Sequence, residues 1–449
     1  MLDPNFLGVR SLTTVPKAKV FPISTQVNDQ GHLTIGGCDL VDLIAEFGSP
    51  LYVYDEATLL HQAEAFTAAF TADHPDSKVL YASKAFINVG LARLLSANGL
   101  GFDIVSGGEM AVLKAADVPA DSVYFHGNNK TPQELREAVE WGIGHVVVDS
   151  FYELGLLDEL AGAAGKVQAV LVRVSPSIDA HTHRLTTTGV LDSKFGFPLE
   201  TGQAKEAVRI AVKAKNLDMR GLHFHLGSPI FELEPYEEAV GRVLEFASEM
   251  REEGMELREF SPGGGFAIAY TEEDNPPPPA AYAKAIIDAL RAGCAAHNLP
   301  DPLLVVEPGR SITGPAGVAV YTVGAIKEVP GVRTFVSVDG GMGDNIRPAL
   351  YGSSYVAVVA DKADASATQT VTIAGKYCES GDILVRDARL PDVSAGNLIA
   401  IPAAGAYTPS MASTYNAIGR PAMVIVKGGQ ATLIRRRETY ADLMSQDVL

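Results

Sequence analysis

The stretch VLYASKAFINVGLARLLSANGLGFDIV (residues 79–105) holds one full period of the pattern that decides the fold. A short apolar run, VLYAS (79–83), leads through a polar pivot and a helix-period segment to a second run, GFDIV (101–105). The period continues outward through SVYFH (122–126), HVVVD (145–149), QAVLVRV (168–174), RGLHFHL (220–226), REFS (258–261) and LLVVE (303–307). The first five runs begin about 22 residues apart, near the minimum for strand, turn, helix and turn. In PQELREAVEW (132–141), Thr131 suits an N-cap and Pro132 the first helical turn. In 235–254, Leu244, Phe246 and Met250 mark an apolar face among exposed acids. Eight strand–helix units predict a parallel (β/α)8 TIM barrel. The rival, an open doubly wound sheet, would usually carry a glycine-rich dinucleotide turn after its first strand, and none is there.

Past residue 310 the pattern changes. The runs 317–326, 333–338, 369–375, 397–402, 421–426 and 431–436 are rich in Val, Ile and Thr, with few helical patterns between. The head of the chain is similar, with HLTI at 32–35 and LYVY at 51–54. The expectation is an α/β barrel over 55–310 and a C-terminal, mostly antiparallel β domain over 311–449, to which 1–54 contributes. NPPPP (275–279) reads as a barrel loop rather than a boundary.

Composition narrows the class. With 36 Lys+Arg against 54 Asp+Glu among 449 residues, the formal charge is −18. That sign disfavours nucleic acid and anionic membrane as partners. No run approaches the roughly 18 apolar residues of a membrane span. The start, MLDPNFLGVR, lacks the basic-then-apolar order of a secretory signal. Cys38, Cys294 and Cys378 are too few and scattered for a disulfide framework or zinc site, so a reduced, cytoplasmic setting is expected. His181 and His183 lie in a loop with no evident third ligand, and no metal is expected.

A parallel barrel forms its site at the C-terminal strand ends. In order these ends present Lys84, Asp103, His126, Asp149, Arg173, His225, the run Gly263, Gly264 and Gly265, and Glu307. Lys84 reads either as a surface lysine or, flanked by Ala82 and Ala85, as an amine that a planar group can approach. Partial burial would lower its pKa and make it the nucleophile a Schiff base needs. The glycine run is either a tight turn or a phosphate cradle of backbone N–H groups. Glu307 pairs with Arg310 or faces a basic ring nitrogen. His225 is a core histidine or a flat ring able to stack on a cofactor, and alternation puts His223 on its face. A lysine for an aldehyde, a glycine turn for a phosphate and an acid for a ring nitrogen together imply pyridoxal 5'-phosphate.

These segments, with others, resemble the diaminopimelate decarboxylase family of fold-type III, alanine-racemase-like enzymes, from about Gly48 to Tyr440. YASKAF, HFHLGS, SPGGGF and EPGR are similar to its cofactor-lysine, histidine, glycine-turn and acid segments. The resemblance implies a Schiff base at Lys84, ring stacking by His225 and phosphate contact near Ser228 and Gly263–Gly265. It implies Glu307 at the ring nitrogen, Arg310 at substrate carboxylate or cofactor, and Asp103 beside the cofactor. DGGMGDNIRPALYG implies Arg347 and Tyr351 as carboxylate binders; GAYTPSMASTYN implies Tyr407 at phosphate and substrate. KYCESGD implies that Cys378, as proton donor, and Glu379, as amine binder, enter the neighbouring subunit's site in a homodimer. Pro229, Gly343, Ser175 and Ser177 stand where the family usually has Gln, Ser, Asn and Gly. The implied activity is decarboxylation of meso-2,6-diaminopimelate to L-lysine, the last step of lysine biosynthesis. The alternatives are another amino acid with a distal carboxylate, such as carboxynorspermidine or a carrier-bound glutamyl group, then ornithine or arginine. A catalytically dead homologue is a further class, set against by the presence of Lys84 and Cys378.

Overall fold

The computed structural model describes residues 14–448, apart from 181, 182, 184 and 185. His181 and the first residues of the N-terminal segment therefore lie outside the described residues. The chain divides into two compact units. Among the described residues, one comprises 59–269 and 273–314, the other 14–58, 270–272 and 315–448.

In the first unit eight strands alternate with helices. They are β1 (Ser77–Ala82), β2 (Gly101–Ile104), β3 (Val123–Phe125), β4 (His145–Val148), β5 (Gln168–Ser175), β6 (Leu217–His223), β7 (Glu259–Gly263) and β8 (Leu303–Val306). Each pairs in parallel with the next, and β8 pairs with β1, so the sheet closes into a barrel. Leu80, Tyr124, Val147, Leu171 and Val305 come from five different strands yet form one buried cluster, which only inward-pointing side chains of a closed barrel can do. The expected strands are all present, but RGLHFHL is offset. The strand starts at Leu217 and stops at His223, because Leu217 and Met219 bury while Gly221 meets β7 too closely for any side chain. A Cβ on Gly221 would lie 1.7 Å from the Glu259 carbonyl oxygen.

The helices begin tightly against the strand ends. Asn88, Ser106, Thr131 and Ser150 cap α1 (Val89–Ala97), α2 (Gly107–Ala115), α3 (Pro132–Trp141) and α4 (Phe151–Ala163). Each side chain accepts the N–H three residues on, worth about 1 kcal/mol apiece. Thr131 and Glu134 form the reciprocal capping box. Short capped turns leave the strand-end side chains little freedom, which is what a site needs.

The second unit is mostly antiparallel sheet. Gly317–Val329 lies at its centre, between Arg333–Val338 and Leu51–Asp55. LYVY thus joins the tail's sheet, pairing in parallel with Ala422–Lys427. The strand Ile383–Leu390 escaped the sequence reading because Arg386 and Asp387, both exposed, interrupt its apolar run.

Candidate active site

At the barrel's C-terminal strand ends, charged side chains are buried against one another. Lys84 follows β1 in the short turn Ser83–Ala85. Its Nζ lies 3.8 Å from Asp103 Oδ2, past the midpoint of β2. Ala82 and Ala85 are buried, not open to an approaching ring. They are small because Gly309 packs on them: a Cβ there would sit 2.9 Å from Ala82 Cβ and 3.2 Å from Ala85 Cβ. The EPGR loop is thereby pressed onto the Lys84 turn.

Neither Asp103 oxygen has a hydrogen-bond partner, and both are buried. A buried carboxylate without partners is costly as an anion. Burial accordingly pushes its pKa up to about 7, against the pull of Lys84. His126, one residue past β3, places Nε2 at 3.9 Å from Asp103 Oδ1 and 3.5 Å from Glu307 Oε1.

Glu307 is clamped. Ser261 Oγ donates to Oε1 at 2.9 Å, and His223 Nε2 lies 3.2 Å from Oε2. Burial works against its charge, but His223, His126 and Lys84 outweigh burial and hold the carboxyl well below the ordinary range. Its pairing is with these groups rather than with Arg310, whose Nε donates to Ser228 Oγ at 3.1 Å. Neither Ser261 nor the clamping role of His223 was evident in sequence. Alternation along β7 and β6 places both on the glutamate, and that is the only signal. Among the described residues, His126, His223 and Glu307 also bring potential metal-ligand atoms within 4.8 Å of one another.

His225 lies beyond the end of β6 rather than in strand alternation with His223. Its Nδ1 accepts the Gly264 amide at 3.3 Å, which leaves the proton on Nε2 and fixes the ring. Burial, with cationic Lys84 and Arg173 nearby, pushes it well below its ordinary pKa, so the ring stays neutral and flat-faced. The glycine run serves packing as well as any anion. A Cβ on Gly264 would meet the Glu307 carbonyl at 2.1 Å, and Gly263 and Gly265 adopt φ of +75° and +104°. The Gly263 and Gly264 amides are engaged by Ser261 Oγ and His225 Nδ1. Arg173 stacks over Phe195 at 4.5 Å and lies 3.7 Å from Asp149, which also accepts the Gly196 amide. That ties the loop after β5 to two strand ends.

The donor set fits pyridoxal phosphate. It offers an amine beside a buried acid whose pKa is raised, an ionised carboxylate for a ring nitrogen, a neutral imidazole for stacking, and hydroxyl and guanidinium groups at the mouth.

The remaining residues singled out in sequence lie in the second unit. Arg347 is buried, donating through Nε to Tyr355 OH at 2.9 Å and through Nη2 to Ser353 Oγ at 3.2 Å. Its guanidinium lies over the rings of Tyr270 and Tyr351 at 5.2 and 5.6 Å. Tyr407 holds φ of +59°, a strained conformation of the kind concentrated at functional sites. Cys378 and Glu379 are exposed on one loop.

A family model described as pyridoxal-dependent decarboxylase, pyridoxal binding domain, matches residues 56–314. Diaminopimelate decarboxylase of Bacillus subtilis (strain 168) is 44% identical over 426 residues, covering 95% of this chain and 97% of its own. The Mycobacterium tuberculosis (strain H37Rv) protein of that name is 42% identical over 439 residues, 96% and 98% of the two chains. The crystal structure of diaminopimelate decarboxylase from M. jannaschii in co-complex with L-lysine superposes with a TM-score of 0.89 at 36% identity, over 95% of this chain and 98% of that one. No helix among the described residues is long and apolar enough to cross a membrane.

Proposed function

This chain belongs to the diaminopimelate decarboxylases of the pyridoxal-dependent decarboxylase family, and on that premise we propose that it converts meso-2,6-diaminopimelate to L-lysine and CO2. The observation that carries the reading is the barrel mouth. A lysine sits beside a buried acid, and a second acid is clamped in its ionised form by Ser261 and His223.

Pyridoxal 5'-phosphate, when bound, supplies an electron sink for the pair left on the α-carbon as CO2 departs. Lys84 would anchor it through the ε-amine, with Asp103 beside that amine to take or return a proton. Glu307, its own oxygens held ionised, would serve the ring nitrogen and keep it protonated, and His225 would stack on the ring. Ser228, Arg310 and the Gly263–Gly265 turn would hold the phosphate, a role the family resemblance gives to Tyr407 as well.

Substrate recognition needs cations for the distal carboxylate and an acid for the distal ammonium. Arg310 and Arg347 are suited to that carboxylate through forked hydrogen bonds, Tyr351 supports Arg347, and Glu379 suits the ammonium. The Cys378 thiol, or Lys84 Nζ, delivers the proton to the α-carbon. Cys378 and Glu379 serve the partner subunit of a homodimer, and the enzyme works in the cytoplasm on a free amino acid. An arginine at the distal end would repel the bare ammonium of ornithine or lysine.

The test is CO2 release from a substrate panel with added cofactor. Diaminopimelate should be the fastest substrate. Faster release from ornithine or arginine would overturn the assignment.

A further inference from the structure

Exposed loop residues are poorly ordered unless something ties them down. The loop bearing Cys378 and Glu379 is closed on itself by Asp382, whose Oδ2 accepts the Tyr377 amide at 2.8 Å and Oδ1 the Met342 amide at 2.6 Å. The two reactive residues are held from elsewhere, by neighbours in one segment. Tyr415 OH donates to Glu379 Oε1 at 2.8 Å. Asn416 Oδ1 accepts the Cys378 amide at 2.9 Å.

The segment is itself braced. The Tyr415 ring stacks on Tyr377, centroids 6.2 Å apart and planes 10° apart. Tyr377 is buried, and a Cβ on Gly343 would lie 2.2 Å from its ring, so the bare glycine makes the room. The Gly343 carbonyl also accepts the Ser413 amide at 2.9 Å. Asn416 and Ala417 take φ of +54° and +55°, a sharp left-handed turn that brings two successive side chains to one loop.

We propose that Tyr415 and Asn416 are positioning residues for the reaction, Tyr415 fixing the Glu379 carboxylate for the substrate ammonium and Asn416 fixing the backbone beneath the Cys378 thiol. This rests on the roles given above to Glu379 and Cys378. Each position acts on a different step: Tyr415 on binding, Asn416 on proton delivery. Gly343 adds room that a serine there would remove.

Steady-state kinetics of the cofactor-loaded protein on diaminopimelate test it. Tyr415→Phe keeps the stacked ring at a position already 40% exposed and removes only the donor. KM should rise about tenfold with kcat little changed, as for loss of one hydrogen bond to a charged group. In a Glu379→Ala background the same change should add almost nothing, because the accepting oxygen is gone. Asn416→Gly keeps the left-handed turn and removes the acceptor, so kcat should fall with KM retained. Asn416→Asp keeps the acceptor and should restore kcat. An unaltered KM in Tyr415→Phe, full additivity with Glu379→Ala, or no restoration by Asn416→Asp would overturn the proposal. Wild-type protein inert on diaminopimelate would instead defeat the reading beneath it.

Discussion

Glu307 in the barrel and Glu379 in the second unit are both acids given to binding, and they are held in opposite ways. Glu307 is buried, with Ser261 and His223 on its two oxygens and a second imidazole beside it. Glu379 is exposed, and one phenol donates to it. In the roles proposed above, the barrel residues hold a permanent cofactor whose charges never leave, so burial and fixed partners would cost nothing in turnover. Glu379 would meet a substrate that must enter and depart, and a fully satisfied, buried acid would have no reason to bind it.

The comparison can be broken at several points, and the largest effect belongs to the barrel. Lys84→Ala should lower turnover by at least ~10³-fold, because the covalent anchor has no substitute. It should also remove the visible absorbance of the bound cofactor. Residual band and rate would place the anchor elsewhere. Cys378→Ala should leave that absorbance intact while lowering kcat roughly 10²- to 10³-fold, the span of general acid catalysis. Glu307→Gln should cost about 10²-fold in kcat with KM for diaminopimelate nearly unchanged, since it removes charge stabilisation rather than substrate contact. A KM effect larger than the kcat effect would move Glu307 into the class of Glu379.

Asp103 gives a smaller, pH-dependent effect. Its folded pKa, pushed up to about 7, lies above the unfolded value of about 4. The folded apoprotein therefore binds that proton more tightly, and the stability this adds is complete below about pH 4 and lost as pH rises through 7. The melting temperature of apoprotein should fall from pH 5 to 8. Asp103→Asn should flatten part of that slope, and an unchanged slope would contradict the placement of Asp103 as a buried acid without a hydrogen-bond partner.

Much of this was legible in sequence, for a physical reason. A parallel strand buried on both faces reads as a continuous apolar run, and the strand-end residue is the first polar one after it. Glu307 was singled out in that way, directly after β8, and Lys84 one residue further past β1, whereas Asp103 interrupts its own run within β2. The clamp was not legible, because Ser261 and His223 reach Glu307 across strands that no local spacing connects. His225 was placed in strand alternation although β6 ends at His223, since the run HFHL continues the pattern past the last ladder bond. The Lys84 alanines were given to the cofactor, whereas they serve Gly309. In the second unit, Ile383–Leu390 was missed because charges interrupt it. Tyr415 went unremarked because a lone tyrosine in a polar loop carries no periodic signal.

The division of labour between the two regions is tested most directly by mixing Lys84→Ala and Cys378→Ala proteins, each inactive alone, and assaying diaminopimelate decarboxylation. If Cys378 serves the partner's cofactor, each hybrid dimer carries one site with both residues intact. Random exchange should then recover roughly a quarter of wild-type activity. No recovery after confirmed subunit exchange would contradict the account.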